Sequence, residues 1–309
     1  MLWEHQRQAI DLARDKLINA ARGRLLVRIP PGTGKTEIAV RIAVEWVHSG
    51  NLRKCLVCVP NTRILGQFYS RLVALTPIRV GIEQAGRTAE PSARIVLASQ
   101  LSLIHRMSKY GQDVLCIIDE AHHSNFDAPK FLTVVRAFDR VLGLTATPWS
   151  SGCSTIFGDS QRFFLSLADA QRLQLACELD VLPWDEPHGP FGLVFCESNR
   201  ECQQQSERTL SSDWIGVNRT DALNLSAVMR WQSMRIGLLF VNRMLLEGFD
   251  SKPCAHVWIN RATYSDILLS QMCGRALRYQ TNKRASIYCM SDAVMGRVTS
   301  ALKRLDDAS

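Results

Sequence analysis

A short glycine-rich segment, PPGTGKT (30–36), lies between an apolar run and a segment with helical periodicity. Glycines allow backbone N–H groups to wrap around a phosphate, and the N-terminus of the following helix adds positive charge. Lys35 can then reach the outer phosphates, and Thr36 can ligate Mg²⁺. Ile29 occupies the position of the first glycine in the usual G-x-x-x-x-G-K-[ST] pattern, so the match is partial. The segment predicts a phosphate-binding loop between a strand and a helix.

Two carboxylates stand at the end of a second apolar run, VLCIIDE (114–120). A phosphate-loop site needs a metal-holding carboxylate at the carboxyl end of a neighbouring strand, and Asp119 is placed for that role. Glu120 follows directly and is placed to orient and deprotonate a water molecule. Together, the loop and the carboxylate pair predict a site that binds phosphates and activates water.

A third candidate group is the pair Arg275 and Arg278 in the segment SDILLSQMCGRALR (265–278). If this segment is helical, the two side chains share one face, and their planar guanidinium groups suit a phosphoryl group that gains charge during cleavage. Two solvated arginines on an amphipathic surface helix would give the same pattern. The arginine pair therefore indicates phosphoryl-group binding only in combination with the phosphate loop and the carboxylate pair.

Short apolar runs alternate with amphipathic segments along the chain, which predicts parallel strands joined by crossover helices. The first series of runs is RLLVRI (24–29), KCLVCV (54–59), ARIVLA (93–98), DVLCIID (113–119) and RVLGLT (140–145). The second series is FGLVFC (191–196), DWIGV (213–217), RIGLLFV (235–241), AHVWIN (255–260) and ASIYCM (285–290). We expect an α/β protein with two domains, 1–182 and 183–309, joined within the turn-rich segment LPWDEPHGP (182–190).

The composition is that of a globular protein, with 309 residues, 46% apolar and 21% charged. A net charge of +8 favours a polyanionic partner. The ten cysteines fall mostly in apolar runs, so we expect reduced core thiols rather than disulfides or a metal site at Cys55 and Cys58. No apolar run is long enough to span a membrane, and the first residues lack the apolar stretch of a signal peptide. We expect a protein of the cytoplasm, or of the nucleoid, the nucleus or an organelle, that does not bind membranes.

Further segments, together with the motifs above, give the chain a family resemblance. They are LWEHQRQAI (2–10), VPNTRILGQF (59–68), LASQLSL (97–103), LGLTATP (142–148), FGLVFCESN (191–199), LLFVNRMLLEGFD (238–250) and QMCGRALR (271–278). In this order they resemble the DEAD/DEAH-box helicases of superfamily 2, and within them the branch of type III restriction-enzyme helicase subunits. The resemblance covers nearly the whole chain. It implies two tandem RecA-like domains, each a mainly parallel sheet flanked by helices, with an ATP cleft between them.

The resemblance also implies a role for each matched position. The residues that would bind ATP are Gln6, Pro31, Gly32, Thr33, Gly34, Lys35, Thr36, Asp119, Gly248 and Asp250, with Thr36 and Asp119 at Mg²⁺. The catalytic residues would be Lys35, Glu120, Gln271, Arg275 and Arg278. The nucleic-acid contacts would be Pro60, Asn61, Arg63, Gln67, Ser99, Gln100, Ser198 and Arg243. His122, Thr145 and Thr147 would couple the nucleotide site to the nucleic acid.

We therefore expect a nucleic-acid motor driven by ATP and Mg²⁺, acting as a monomer and on DNA rather than RNA. Two alternatives stay open from the sequence. One is an RNA remodeller that opens short duplexes without moving along them. The other is a nucleotide-gated binding subunit that works with a nuclease or a defence complex.

Overall fold

Every strand pairing between the described strands is parallel, and the strands form two sheets. The computed structural model describes residues 2–50, 53–84, 86–106, 110, 113–123, 128–158, 160–189, 191–242 and 254–308. It divides into two compact units. The first contains Met1–Ile29 and Gly34–Leu165, and the second contains Pro30–Thr33 and Ser166–Ser309.

The first unit contains a seven-stranded sheet of order β3-β4-β2-β5-β6-β1-β7. Its strands are β1 (Gly23–Arg28), β2 (Lys54–Val59), β3 (Val80–Glu83), β4 (Ile95–Ser99), β5 (Val114–Asp119), β6 (Arg140–Thr145) and β7 (Gln161–Phe164). Its helices are α1 (Glu4–Ala13), α2 (Lys35–His48), α3 (Thr62–Leu75), α4 (Gln100–Arg106), α5 (Pro129–Arg136) and α6 (Ser151–Phe157), with a π-helical turn at Arg14–Ile18.

The second unit contains a six-stranded sheet of order β10-β11-β9-β12-β13-β8. Its strands are β8 (Glu178–Pro183), β9 (Gly192–Cys196), β10 (Ser212–Ile215), β11 (Leu238–Val241), β12 (His256–Asn260) and β13 (Arg284–Cys289). Its helices are α7 (Leu167–Arg172), α8 (Asn199–Arg208), α9 (Asp221–Gln232), α10 (Asp266–Gly274) and α11 (Asp292–Lys303).

The central strands are buried along their whole length, as expected for parallel strands with helices on both faces. All residues of β5, β6 and β9 are buried, which explains why these runs are continuously apolar in the sequence. The expected α/β fold with two parallel sheets flanked by helices is confirmed.

All ten cysteines are buried and unpaired, which confirms the prediction of reduced core thiols. Burial raises the pKa of the Cys55 and Cys58 thiols well above the usual value, so both stay protonated at neutral pH. No cluster of His, Cys, Asp and Glu suited to a metal ion occurs among the described residues.

The compact units divide between Leu165 and Ser166, before the predicted domain boundary at 182/183. The reason is that β8 pairs with β13 from Arg284↔Glu178 to Cys289↔Pro183, so β8 is an edge strand of the second sheet. The division into functional domains 1–182 and 183–309 remains a prediction. In the described parts of the chain, no helix is both long and apolar enough to cross a membrane.

Candidate functional site

The predicted phosphate loop connects β1 to α2, and its backbone requires glycine at two positions. Gly32 has φ +83° and Gly34 has φ +90°, which are left-handed values that residues with a Cβ rarely adopt. Thr33 is buried, and its hydroxyl donates to the carbonyl oxygen of Pro30 at 2.7 Å. Lys35 is the first residue of α2, so its side chain starts where the partial positive charge of the helix is strongest.

Gln6 lies directly against this loop. A Cβ at position 34 would stand 2.1 Å from Nε2 of Gln6, so the carboxamide occupies the space beside Gly34. The Oε1 atom of Gln6 accepts a hydrogen bond from the backbone N–H of Trp3 at 3.0 Å, and Gln6 is only 5% exposed. The sequence segment at the start of the chain and the glycine-rich loop are therefore parts of one site.

The carboxylate pair follows β5. Asp119 is the last residue of the strand and is 4% exposed, while Glu120 has φ +49°, a conformation that costs a non-glycine residue about 1–2 kcal/mol. The N–H of Ala121 donates to the carbonyl oxygen of Leu144 at 3.0 Å, which ties the turn to the neighbouring strand β6. This hydrogen bond holds the chain in the turn that sets the direction of the Glu120 side chain.

His122 links the ends of β5 and β6. Its Nδ1 atom lies 2.7 Å from Oγ1 of Thr145, and Oγ1 of Thr145 also accepts from the N–H of Thr147 at 3.0 Å. Burial lowers the pKa of His122 to about 4; the carboxylate of Glu120, 3.5 Å from Nδ1, opposes this shift, and the charge of Lys35 adds to it. A neutral imidazole at pH 7 has a nitrogen that accepts, so the Thr145 hydroxyl can donate to it.

Thr147 is 1% exposed, and its hydroxyl oxygen makes no hydrogen bond within the described residues. Leaving a buried hydroxyl unsatisfied costs about 1–3 kcal/mol, so such groups are uncommon in folded proteins. The three predicted coupling residues, His122, Thr145 and Thr147, are thus brought together, and one of them has an unused hydrogen-bonding group.

The residues predicted to contact nucleic acid in the first unit lie where β2 and β4 end. Asn61 accepts through Oδ1 from the N–H of Ile64 at 3.1 Å and so caps α3, and Ser99 accepts from the N–H of Ser102 at 3.4 Å at the start of α4. Because β2 and β4 are adjacent and parallel, both helix N-termini lie at the same sheet edge.

The other residues predicted to contact nucleic acid in the first unit differ in exposure. Gln67 is exposed on α3, and Gln100 is 5% exposed. Pro60 is partly exposed, and the side chain of Arg63 lies outside the described residues.

In the second unit, Ser198 caps α8 by accepting from the N–H of Glu201 at 3.1 Å. The predicted residues Arg243, Gly248 and Asp250 lie outside the described residues. Gln271 is partly exposed on α10.

The prediction that Arg275 and Arg278 share one helical face is wrong, because α10 ends at Gly274. Arg275 is the C-cap residue, and Arg278 forms an isolated antiparallel bridge with Ala176. The carbonyl oxygens after the helix are taken by other donors. That of Leu277 accepts from the N–H of Cys177 at 2.9 Å, and that of Arg278 accepts from the ammonium group of Lys283 at 3.0 Å. These long-range hydrogen bonds hold the segment after α10 outside the helix.

Sequence reasoning missed a polar network at the carboxyl edge of the second sheet. Arg261 is 6% exposed and donates to Oδ1 of Asn242 at 3.2 Å, and Asn242 donates to the carbonyl oxygen of Glu197 at 3.1 Å. Asn260 donates to Oε1 of Glu201 at 2.6 Å. The network joins the ends of β9, β11 and β12, and its signal in the sequence is a polar residue placed directly after each apolar run.

Residues 1–150 match the family model described as type III restriction enzyme, res subunit. The transcription-repair-coupling factor of Rickettsia bellii is 28% identical over 160 residues, which cover 47% of this chain and 14% of that protein. The ATP-dependent DNA helicase mph1 of Aspergillus fumigatus is 30% identical over 160 residues, covering 45% of this chain and 14% of that protein. The match therefore spans only a small part of the length of these relatives.

Two solved structures have the same fold over nearly the whole chain. The type ISP restriction-modification enzyme LlaBIII bound to DNA has a TM-score of 0.76 at 14% identity, covering 99% of this chain and 30% of that one. Dbp5 of S. cerevisiae bound to RNA and ADP BeF3 has a TM-score of 0.71 at 12% identity, covering 100% of this chain and 88% of that one. The tandem RecA-like fold expected from the sequence is thereby confirmed.

Proposed function

Because residues 1–150 belong to the type III restriction enzyme res-subunit family and the relatives of the chain are superfamily 2 helicases, we propose that the protein is an ATP-dependent motor acting on DNA. It would move along or separate strands. The observation that carries this proposal is the arrangement at one edge of the seven-stranded sheet. Strands β5, β6 and β1 are consecutive there, and they end in the carboxylate pair, the Thr145–Thr147 turn and the phosphate loop.

The residues at this edge provide N–H groups and a cation suited to the phosphates of ATP, and oxygen ligands suited to Mg²⁺. The loop has no Cβ at positions 32 and 34, which lets backbone N–H groups approach phosphates, and Lys35 supplies a cation. The hydroxyl of Thr36 and the carboxylate of Asp119 are oxygen ligands of the kind that Mg²⁺ prefers. The bound ion would neutralise part of the negative charge on the phosphates.

Glu120 would orient the attacking water and accept its proton, because it follows the metal-holding Asp119 directly and its backbone geometry differs from that of the strand. Arg275, Arg278 and Gln271 of the second unit would stabilise charge that develops on the transferred phosphoryl group. Gln6, Gly248 and Asp250 would contact the nucleotide itself. Because these groups come from both halves of the chain, bound ATP would favour a closed arrangement of the two halves. Hydrolysis of ATP would then allow this arrangement to open.

The chain from His122 through Thr145 to Thr147 would couple this site to the strand of nucleic acid. Asn61 and Ser99 cap helices at the same sheet edge, and helix N-termini are suited to phosphates. With Pro60, Arg63, Gln67 and Gln100, and with Ser198 and Arg243 of the second half, they would contact mainly the backbone of one strand. We therefore expect little base specificity and a strong dependence on salt.

DNA is favoured over RNA by the names of the relatives: a transcription-repair-coupling factor, a DNA helicase and a restriction enzyme bound to DNA. RNA remodelling is the second candidate, supported by the likeness to Dbp5 bound to RNA. The likeness to a restriction-modification enzyme also favours a nuclease or a defence complex as the partner. In that setting the chain would be the motor, monomeric by itself.

Two substitutions test the ATPase assignment. Lys35→Ala should abolish ATP turnover by removing the cation that faces the phosphates, and Glu120→Gln should lower turnover by at least ~100-fold while ATP still binds. The exposed Lys130→Ala is the matched control and should retain full turnover. Undiminished hydrolysis in either site variant would refute the assignment.

The choice of nucleic acid is tested by measuring ATP turnover with single-stranded DNA and with single-stranded RNA of the same sequence. DNA should stimulate turnover more strongly than RNA, and higher salt should reduce the stimulation. Stronger stimulation by RNA would favour the remodeller, and no response to either would contradict a translocase.

A further inference from the structure

The amino edge of the seven-stranded sheet carries a row of basic side chains, on the opposite side from the candidate site. We call this group the basic edge. Its members lie at the starts of β1, β2, β4 and β6 or, for Arg136, at the end of the neighbouring helix α5. They are Arg22, Arg53 and Arg94, which directly precede a strand, Lys54 and Arg140, which begin one, Arg24, which is the second residue of β1, and Arg136. Because all strands of the sheet are parallel, their first residues lie along one edge.

Two carboxylates, Asp113 and Asp139, lie at the same edge, so the basic edge has a net charge of 7 − 2 = +5 within a chain of +8. Both carboxylates are already engaged. Asp113 contacts Arg53 at 3.3 Å and Arg140 at 3.2 Å, and Asp139 contacts Arg22 at 3.0 Å. Excess positive charge therefore remains after every ion pair in the described part of this edge is formed.

Three of the four remaining cations contact carbonyl oxygens instead of carboxylates. Lys54 donates to the carbonyl of Pro91 at 3.0 Å, and Arg94 donates to the carbonyls of Val47 and Gly50. Arg24 donates through Nη2 to the carbonyl of Arg136 at 3.4 Å. Carbonyl oxygens satisfy hydrogen bonds without cancelling charge.

Arg24 is a cation of this edge that contacts a carbonyl oxygen and the like charge of Arg136. Its Nη1 atom is buried and has no hydrogen-bond partner within the described residues. Burial lowers the pKa of Arg24, and the like charge of Arg136 lowers it further. A phosphate beside the exposed Arg136 would relieve the repulsion between the two guanidinium groups.

Part of the basic edge is held rigid by a tryptophan. Trp46 is fully buried, and the guanidinium carbons of Arg53 and Arg140 lie 4.2 and 4.9 Å from its ring centre. Cation–π contacts of this kind fix the arginines before any ligand arrives. Because the ring is buried, it cannot stack on a base, and the surface offers charge to a phosphate backbone rather than contacts to bases.

We propose that the basic edge binds the backbone of double-stranded nucleic acid, separately from the site that binds ATP. The cations lie at the starts of β4, β2, β6 and β1, and Asp113 lies between them before β5. These five strands are consecutive in the sheet and at about 4.8 Å per strand spacing cover roughly 19 Å. This length corresponds to about five to six base pairs along a duplex. A row of this length is too long for one phosphate and matches a rigid line of them. A motor with this surface would hold a duplex while its opposite sheet edge engages a single strand.

The test is the affinity of the full chain for a labelled duplex of about 20 base pairs, measured by fluorescence anisotropy without nucleotide over a range of salt concentrations. The triple variant Arg22→Ala, Arg24→Ala, Arg136→Ala should bind the duplex at least ~10-fold more weakly at low salt. The slope of log affinity against log salt should fall by about 2–3, since each lost phosphate contact removes about 0.9. ATP turnover at saturating single-stranded DNA should stay unchanged, so a failure here is distinct from a failure of the proposed ATPase.

The matched control is Arg172→Ala, Arg208→Ala, Arg235→Ala, which removes the same charge from exposed positions of the second unit. Equal losses in both triple variants would overturn the proposal, as would undiminished duplex affinity in the first. Selective loss of binding to polyglutamate, with duplex binding intact, would identify an acidic protein as the ligand and would also overturn it. If the first triple variant does not fold, the exposed single substitution Arg136→Ala carries the same test, with an expected fall in slope of about 0.9.

Discussion

The Nδ1 atom of His122 lies 2.7 Å from Oγ1 of Thr145, and this contact joins the turn after β5 to the end of β6. Glu120 lies in the same turn, and Thr145 in turn accepts from the N–H of Thr147. A movement of the turn that carries Glu120 is therefore passed to the segment 145–147 through the imidazole of His122, beside the hydrogen bond from Ala121 to Leu144. The contact gives the coupling proposed for these residues a physical path.

Removing the Thr145 hydroxyl should interrupt this path. Thr145→Val keeps the shape of the side chain but takes away the group bonded to His122 and to the N–H of Thr147. We expect the stimulation of ATP turnover by DNA to fall several-fold while a basal rate persists, and the free energy of unfolding to fall by about 1–3 kcal/mol. Steady-state ATPase assays with and without DNA and urea titrations measure the two effects.

Thr133→Val is the control, because the hydroxyl of Thr133 is exposed and bonds only within its own helix, to Pro129 at 2.9 Å. It should leave the stimulation and the unfolding free energy nearly unchanged. Full DNA stimulation in Thr145→Val would mean that coupling does not pass through this hydroxyl.

The buried neutral state of His122 predicts how stability depends on pH. Its pKa is about 4 in the folded protein, against 6.5 for a solvated histidine, so the unfolded chain binds the proton first as pH falls. This contribution to stability is complete above about pH 6.5 and is lost between about pH 6.5 and 4, at about 1.4 kcal/mol per pH unit. Urea titrations across this interval should show a shallower pH dependence in His122→Gln than in the wild type. Identical slopes would contradict a buried, uncharged His122.

Much of the first unit could be predicted from the sequence, because its central strands form continuous apolar runs. VLCIID and RVLGLT are buried throughout as β5 and β6, and the polar residues after them lie where the parallel topology requires. The edge strands β3 and β7 were not predicted. β7 has the sequence QRFF with two exposed and two partly buried residues, and β3 is only four residues long, so neither produces an apolar run.

Contacts between residues distant in sequence could not be predicted in the same way. The end of α10 at Gly274 depends on donors from Cys177 and Lys283, and no local pattern in QMCGRALR reveals them. The basic edge likewise arises only when parallel pairing brings the starts of several strands together. Gln6 could be assigned to the nucleotide by resemblance, but its position against Gly34 depends on how α1 packs.

Gly34 should tolerate no side chain. Gly34→Ala introduces a Cβ at φ +90° and 2.1 Å from Nε2 of Gln6, so the loop must distort, and we expect ATP turnover to be lost. Gly296→Ala is the control, because a Cβ there meets nothing within 4 Å and lies inside α11, where alanine is favoured over glycine by about 0.5–1 kcal/mol. Turnover assays and thermal unfolding should separate a defective loop from a general loss of stability.

The double variant Gln6→Ala, Gly34→Ala distinguishes the two causes of strain at this position. It removes the clash with the carboxamide but keeps an alanine in a left-handed conformation, so we expect only partial recovery of turnover relative to Gly34→Ala. Complete recovery would show that Gln6 alone demands glycine at position 34.

Lys283 should act as a positioning residue for Arg278. Its ammonium group donates to the carbonyl oxygens of Ala276 and Arg278 and fixes the segment that follows α10, and burial lowers the pKa of Lys283. Lys283→Met keeps the length of the side chain but removes these donors, so Arg278 should lose its fixed position. We expect the maximal ATP turnover to fall at least ~10-fold with little change in ATP affinity, because stabilising charge in the transition state depends on accurate placement of the Arg278 guanidinium group.

Lys303→Met, on the surface of α11, should keep full turnover. A normal rate in Lys283→Met, or a loss confined to ATP affinity, would exclude this positioning role.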